Sequence, residues 1–298
     1  MTQKLKTESQ PLISVIMPVL NSRRKIDAAL NSLIAQRSRR FEVVFSDGGS
    51  TDGTIDYAMQ ILSAHGIEAL SIIAIGSSIY AALNHAIRLA RGRWYYILGS
   101  DDCLYSAEIF DRIQPVLVSS RADVIYGDAW FEMGEGFVYG GPFWPSRLAA
   151  LNICHQSIFY RASRIDELAL TYNEEYPLLA DWDYNLKLYS CSRFQHIPLL
   201  ICRFSCGGVS STRVDYKFEQ ERYQQIMTYF GWRSFFLFTP DWLTRCVAHR
   251  PTFINRCGLL ANRLVYKLWR RLRPDDLQVN LRELAFAGSQ LPCNLQHQ

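Results

Sequence analysis

Two hydrophobic patterns alternate along the first hundred residues. The stretches "LISVIMPV" (Leu12 to Val19), "FEVVFS", "ALSIIAI" and "RWYYIL" are short, continuous apolar runs rich in β-branched and aromatic residues, the signature of strands buried on both faces. Between them, "RRKIDAALNSLIAQ" repeats apolar residues at Ile26, Ala29, Leu30, Leu33 and Ile34, the spacing of an amphipathic helix, with Asn21-Ser22 as its expected N-cap. "TIDYAMQIL" and "IYAALNHAIRLAR" predict two further helices, the second stopped by Gly92. Strand and helix joined by short connections predict an open, mostly parallel sheet of βαβ units. In such sheets ligands bind beyond the carboxyl ends of the strands. Pro18–Asn21, Asp47–Thr54 and Gly99–Asp102 all fall at that edge.

The rhythm changes after Asp102. "AEIFDRIQPVLVSS" predicts a helix, "ADVIYGDAWFE" and "FVYGG" antiparallel strands, "CHQSIFYR" another short strand, and "LLADWDYNLKLYS" a helix with acid in its first turn. A mixed sheet extending the parallel half is the simplest architecture.

Composition narrows the class. With 298 residues, 49% apolar and 20% charged, the chain suits one large α/β domain, or a medium one with an appendage. A net charge of +4 is too mild to imply nucleic-acid binding. Eight cysteines occur without a CxxC pair, predicting reduced, half-buried thiols of a cytosolic protein rather than a zinc site. The polar first ten residues lack a signal-peptide core, and no run of about 18 apolar residues predicts a membrane span. From Trp232 to Arg273, however, nine Lys and Arg face only Asp241, with aromatics interleaved and an apolar stripe at Leu260, Leu264 and Leu268. This segment reads either as a basic amphipathic helix on a membrane surface or as a helix packed on the catalytic domain. A cytoplasmic protein, peripheral at the inner membrane face, is the expected location.

The candidate chemistry begins at "LGSDDC". Two adjacent carboxylates at a strand end are either solvated loop or two hard oxygen ligands for Mg²⁺ or Mn²⁺, ions that usually bridge carboxylates to substrate phosphates. In order and spacing, "SVIMPVLNS", "FSDGGSTDGT", "LNHAIRLARGRWYYILGSDD" and "HQSIFY…LLADWDYNLKL" resemble the family 2 glycosyltransferases of the GT-A fold, over roughly residues 11 to 212. The resemblance implies a Rossmann-like, mostly parallel sheet flanked by helices, with a C-terminal helical extension. It divides the chain into a catalytic domain, 11–225 (a nucleotide-sugar half to about 102, then an acceptor half), and a basic extension, 226–298. It also implies an inverting transferase that moves a sugar from a nucleotide-diphosphate donor, a UDP-sugar foremost, to a saccharide or lipid-linked acceptor of surface-glycan synthesis.

The same resemblance carries roles onto individual residues. Asp102 and Asp101 become metal ligands for Mn²⁺ or Mg²⁺. Pro18, Val19, Leu20, Asn21, Asp47, Tyr80, Asn84, Ser100 and Asp101 become the nucleotide-sugar contacts, although Tyr80 and Asn84 equally suit helix packing and capping. Asp181 aligns with the general base that an inverting transfer needs. His155, Gln156, Trp182, Asp183 and Arg213 are candidate acceptor or phosphate contacts. For His155 the alternative is a satisfied structural histidine, for Trp182 core packing, and for Asp183 an exposed helix position. Asp52 reads as a turn or helix cap. Gly99, Gly48, Ala81 and Ala180 stand where relatives commonly carry acids, which keeps a catalytically weak, GT-A-like binding protein as the alternative. A nucleotidyltransferase would also use metal and a parallel sheet, but the glycine-rich phosphate loop expected of it is missing from "MPVLNSRRK".

Overall fold

A computed structural model describes residues 10–76, 78–205 and 214–231. The first half follows the alternating pattern: β1 (Ile13–Val19), α1 (Asp27–Ile34), β2 (Phe41–Asp47), α2 (Thr54–Ala64), β3 (Ala69–Ile73), α3 (Ile79–Leu89) and β4 (Trp94–Ile97). These strands pair in parallel in the order β3-β2-β1-β4. Val19 sits opposite Asp47, and Asp47 opposite Ile73, so three strand ends share one edge.

The second half adds β5 (Cys103–Leu104), α4 (Ile109–Ser119), β6 (Val124–Glu132), β7 (Phe137–Tyr139), α5 (Pro145–Ala150), a 3₁₀ turn (His155–Ser157), β8 (Ile158–Arg161), α6 (Ala162–Glu167), α7 (Ala180–Cys191), β9 (Phe194–Ser205) and α8 (Tyr216–Phe230). The sheet continues β4-β8-β6-β9-β5, with β7 on β6. β8 runs antiparallel to β4 and β6, β7 to β6, and β5 to β9, while β6 and β9 run parallel. The sheet is therefore mixed, as the change of rhythm predicts.

Burial on both faces explains the continuous apolar strands. Ile13, Val15 and Met17 of β1 face a core with α1, α2 and α4. Ile16 faces the other core, built from α3 and α5 to α8. The fold departs from the sequence reading at several places, among them the 3₁₀ turn His155–Ser157, where the sequence predicts a strand from Cys154. The first helix begins at Asp27 and has no side-chain cap, because Asn21 and Ser22 are drawn into contacts with the next loop. The helix α3 ends at Leu89, ahead of Gly92. That glycine is required elsewhere: a Cβ there would lie 2.4 Å from the backbone nitrogen of Ser14. The twelve-residue strand β9 has no counterpart in the pattern reading. The helix α8 carries Phe218 and Ile226 into the second core.

Among the described cysteines, all free, Cys154 and Cys202 are buried and Cys103 half-buried, but Cys191 is exposed. No helix among the described residues is long and apolar enough to cross a membrane. The basic segment from Trp232 onward, and Arg213, lie outside the described residues.

Candidate active site at the carboxyl edge of the sheet

Three loops that leave parallel strands are tied into one surface. Asn21, at a positive φ of 47°, accepts the Thr51 N–H on its side-chain oxygen, and its own N–H reaches Ser50 Oγ. Ser22 N–H donates to Thr54 Oγ1, and Ser100 Oγ lies 3.0 Å from Ser22 Oγ, which brings the loop after β4 against the first. Asp47, almost fully buried, accepts from the N–H and hydroxyl of Ser50. Asp52 accepts from Thr54 and from the Arg23 N–H, ordering the turn ahead of α2. Leu20 stays exposed beside Gly48, where a Cβ would press on its Cδ1 at 3.3 Å. Pro18, Val19, Leu20, Asn21, Asp47 and Ser100 thus share one place.

The acid pair adjoins them. Asp102 is buried, its two oxygens accepting from Ser205 N–H (2.9 Å) and Gln156 Nε2 (2.8 Å). Burial pushes its carboxyl up to about 7; the hydrogen bonds from Ser205 and Gln156 oppose this, and the neighbouring Asp101 charge adds to it. Asp101 is half-buried, with no hydrogen-bond donor to its carboxylate among the described residues. The glycine at 99 now has a physical reason. A Cβ there would sit 2.4 Å from Asp102 Oδ2, so the bare backbone makes room for the Asp102 carboxylate.

The donor chemistry of the pair suits a hard divalent cation. Asp102 is a buried carboxylate within 4.0 Å of no Lys, Arg or His nitrogen among the described residues, and each of its oxygens keeps a lone pair after its hydrogen bond. Among the described residues no group of three or more His, Cys, Asp or Glu encloses a metal position. Remaining coordination would then fall to phosphate oxygens and water, the usual arrangement for Mg²⁺.

Asp181 sits in the first turn of α7. Its Oδ1 lies 3.1 Å from the Tyr80 hydroxyl, which also donates to Leu178 O at 2.6 Å, and its Oδ2 accepts from Asn152 Nδ2 at 2.8 Å. Burial of the carboxyl pushes its pKa up to about 6, opposed by the hydrogen bonds from Tyr80, the Trp182 backbone and Asn152. It is largely ionised at pH 7, yet basic enough to accept a proton. Tyr80 thus lies against the acid of α7.

Other expected contacts are committed elsewhere. Asn84 spends its amide on both backbone groups of Tyr172 and on Glu174. Trp182 is buried, donates to Leu148 O, and packs on Phe218. Asp183, two residues past Asp181 and so on another face of the helix, is fully buried between Lys187 Nζ (2.9 Å) and the Tyr229 hydroxyl (2.6 Å). His155 bonds Tyr172 Oη at 2.9 Å, and burial drives its imidazole down to about 3, so the ring is neutral. Gln156, by contrast, touches the acid pair directly. Asn152 was missed in the sequence, since a lone polar residue in a loop carries no pattern.

The chain matches the family model "Glycosyl transferase family 2" over residues 14–163. It is 36% identical over 214 residues to the PGL/p-HBAD biosynthesis glycosyltransferase of Mycobacterium tuberculosis, covering 70% of this chain and 82% of that protein. Among solved structures, S. aureus TarS in complex with UDP-GlcNAc superposes with a TM-score of 0.64 at 19% identity, over 80% of this chain and 73% of that one. The mannosyltransferase PcManGT from Pyrobaculum calidifontis, in complex with GDP-Man and Mn²⁺, gives 0.54 at 15% identity, over 88% and 84%. The sheet order and flanking helices are those of a GT-A fold.

Proposed function

The chain belongs to glycosyl transferase family 2 and is a glycosyltransferase, and on that premise we propose a metal-dependent, inverting transfer from a nucleotide-diphosphate sugar to a saccharide or lipid-linked acceptor. One observation carries the reading. The segment 152–156 binds both the acid pair, through Gln156 to Asp102, and the candidate base, through Asn152 to Asp181. Four residue steps span at most about 14 Å, so one short segment ties together carboxylates 79 positions apart in sequence.

In this reading the loops of Pro18–Asn21, Asp47 and Ser100 receive the nucleotide. Asp47 Oδ2, held only weakly by Ser50 N–H at 3.2 Å, has a lone pair for a base N–H, which suits a uracil donor and a guanine donor alike. The UDP-GlcNAc complex of TarS points to a uracil donor, and the GDP-Man of the mannosyltransferase makes guanosine donors the alternative to separate. Asp101 and Asp102 would hold the cation, which when bound compensates the negative charge growing on the departing diphosphate. Asp181 takes the proton of the acceptor hydroxyl as its oxygen bonds to the anomeric carbon. The bond from that carbon to the phosphate oxygen breaks on the opposite face, and the nucleoside diphosphate leaves with the electron pair. The cation-rich, aromatic segment after residue 232 supports attachment to an anionic membrane surface on the cytoplasmic side, beside lipid-linked acceptors.

A donor screen tests the reading. Purified full-length protein is incubated with UDP- and GDP-sugars and Mn²⁺, and released nucleoside diphosphate and thermal protection are measured. A UDP-sugar should be turned over and should stabilise the protein in Mn²⁺ but not in EDTA. Full turnover in EDTA would end the metal reading.

A further inference from the structure

Behind Asp181 runs a buried file of polar groups that the reaction has not yet used. The Tyr160 hydroxyl on β8 donates to Asn185 Oδ1 at 2.8 Å. Asn185 Nδ2 donates to Asn152 Oδ1 at 2.9 Å, and Asn152 Nδ2 donates to Asp181 Oδ2 at 2.8 Å. Tyr160 and Asn185 are fully buried, so neither can trade its partner for water. Asn152 is also held from behind, its backbone carbonyl accepting from the Tyr139 hydroxyl. Neutral amides are common core residues, but here every hydrogen bond points toward the carboxylate. Reversing the file would set the Asn152 carbonyl against Asp181 and require both the buried Asn185 amide and the half-buried Asn152 amide to turn over.

We propose that Asn152, oriented by Asn185 and Tyr160, is a positioning residue that fixes the rotation of the Asp181 carboxylate and keeps it a proton acceptor. With Tyr80 on Oδ1 and Asn152 on Oδ2, the carboxylate is anchored at both oxygens, and each oxygen keeps a lone pair for substrate. The inference rests on Asp181 being the base, and it adds how the chain holds that base. A hydrogen bond to the charged form lowers a carboxyl pKa, so this file opposes the burial that raises it.

The titratable neighbours leave the file a real share of that work. Tyr80 on α3, Tyr160 on β8, Tyr172 ahead of α7 and Tyr184 on α7 are all held neutral at pH 7, their hydroxyls pushed well above the usual range by burial. His155 in the 3₁₀ turn is neutral as well. The acids on the elements around it are Asp215, which caps α8 and takes the Leu178 and Leu179 N–H groups, and Glu174, bound to Asn84. The charged Lys187 is turned to Asp183 on another face of α7. None of these supplies a cation to Asp181.

The test follows the Asp181 carboxyl directly in full-length protein labelled with carboxyl-¹³C aspartate, the Asp181 resonance being identified by its loss in Asp181→Asn. Asn152→Ala should move the Asp181 titration upward from about 6 by roughly one pH unit. Tyr160→Phe, which removes one buried oxygen at the far end, should move it the same way by less, and it decides the matter if Asn152→Ala does not fold. With whichever of UDP-GlcNAc or GDP-mannose is turned over, Asn152→Ala should lower kcat at pH 7 roughly tenfold and shift its acid limb upward. The donor KM should stay within about twofold. An unmoved Asp181 titration in the folded variants would overturn the proposal. Wild-type transfer by Asp181→Asn would instead overturn the base assignment, so the two failures are told apart.

Discussion

The two edges of the parallel sheet treat a buried carboxylate in opposite ways. At the amino edge, Glu42 is 1% exposed and fully compensated. Its oxygens take the Ser14 hydroxyl at 2.6 Å, the Arg91 N–H at 2.6 Å, and the Arg91 guanidinium at 2.6 and 2.8 Å, while Gly92 N–H closes on Ser14. At the carboxyl edge, Asp102 and Asp181 are also sunk in the protein, but their partners are amides, hydroxyls and backbone N–H groups. No Lys, Arg or His nitrogen lies within 4.0 Å of either among the described residues, and both carboxyls are pushed up, to about 7 and about 6. The contrast recurs within one turn of α7, where Asp183 is ion-paired to Lys187 and Asp181 is not. Compensated carboxylates hold the sheet and helix together. Uncompensated ones cost stability, and that cost is understandable where a substrate proton or a cation is to be received.

The sharpest way to break this comparison is to neutralise Asp181. Asp181→Asn should lower transfer by roughly 10²–10⁴-fold, the scale of a lost general base, with donor binding retained. Asp183→Asn should do the reverse, lowering thermal stability with little loss of transfer per folded molecule. Asp102→Ala comes next, with transfer falling by about 10²–10³-fold and the Mn²⁺-dependent stabilisation by donor disappearing from melting curves. At the other edge, Glu42→Gln removes the buried partner of Arg91 and leaves it only the exposed Glu68; this should cost about 2 kcal/mol, seen as a melting point lower by several degrees with kcat unchanged. The smallest effect is expected of Gly99→Ala. Its methyl must displace the Asp102 carboxylate from Gln156, and transfer should fall by about tenfold at nearly unchanged stability. For the same reason Gly99→Asp should not raise activity.

What could be read from the chain, and what could not, follows the range of the interactions. The strands β1 to β4 are buried on both faces, so their continuous apolar runs were legible, as were the loops at their ends. The strand β9 was not, because Pro198 and a half-exposed, irregular alternation hide it. The N-cap expected at Asn21-Ser22 failed because contacts to Ser50, Thr51 and Thr54 outcompete a local cap. Asp181 stood out only through the resemblance to a family motif, whereas the acid pair was already marked by two adjacent carboxylates at a strand end. Nothing local marked Asn152, whereas Asn185 had a faint signal, standing one helical turn after Asp181 and so on its face. Asp183, readable from the chain as an acceptor contact or an exposed helix position, is buried between Lys187 and Tyr229. Charge compensation is a tertiary property.

Under the proposed function, the Asp181 carboxylate is kept in place against stability for the sake of proton transfer. The most direct test of this claim is the difference in melting temperature between Asp181→Asn and wild type from pH 4 to pH 8, with transfer followed in parallel. A carboxyl whose folded pKa is raised binds more protons in the folded state, so wild-type stability should fall as pH rises from about 4 through about 6. The Asp102 titration is common to both proteins and cancels in the difference. Asp181→Asn should therefore match wild type near pH 4 and become the more stable protein by pH 8, while its transfer is nearly abolished and wild-type transfer is lost as pH falls below about 6. An Asp181→Asn protein that melts lower than wild type at pH 8 and still transfers sugar would contradict the claim.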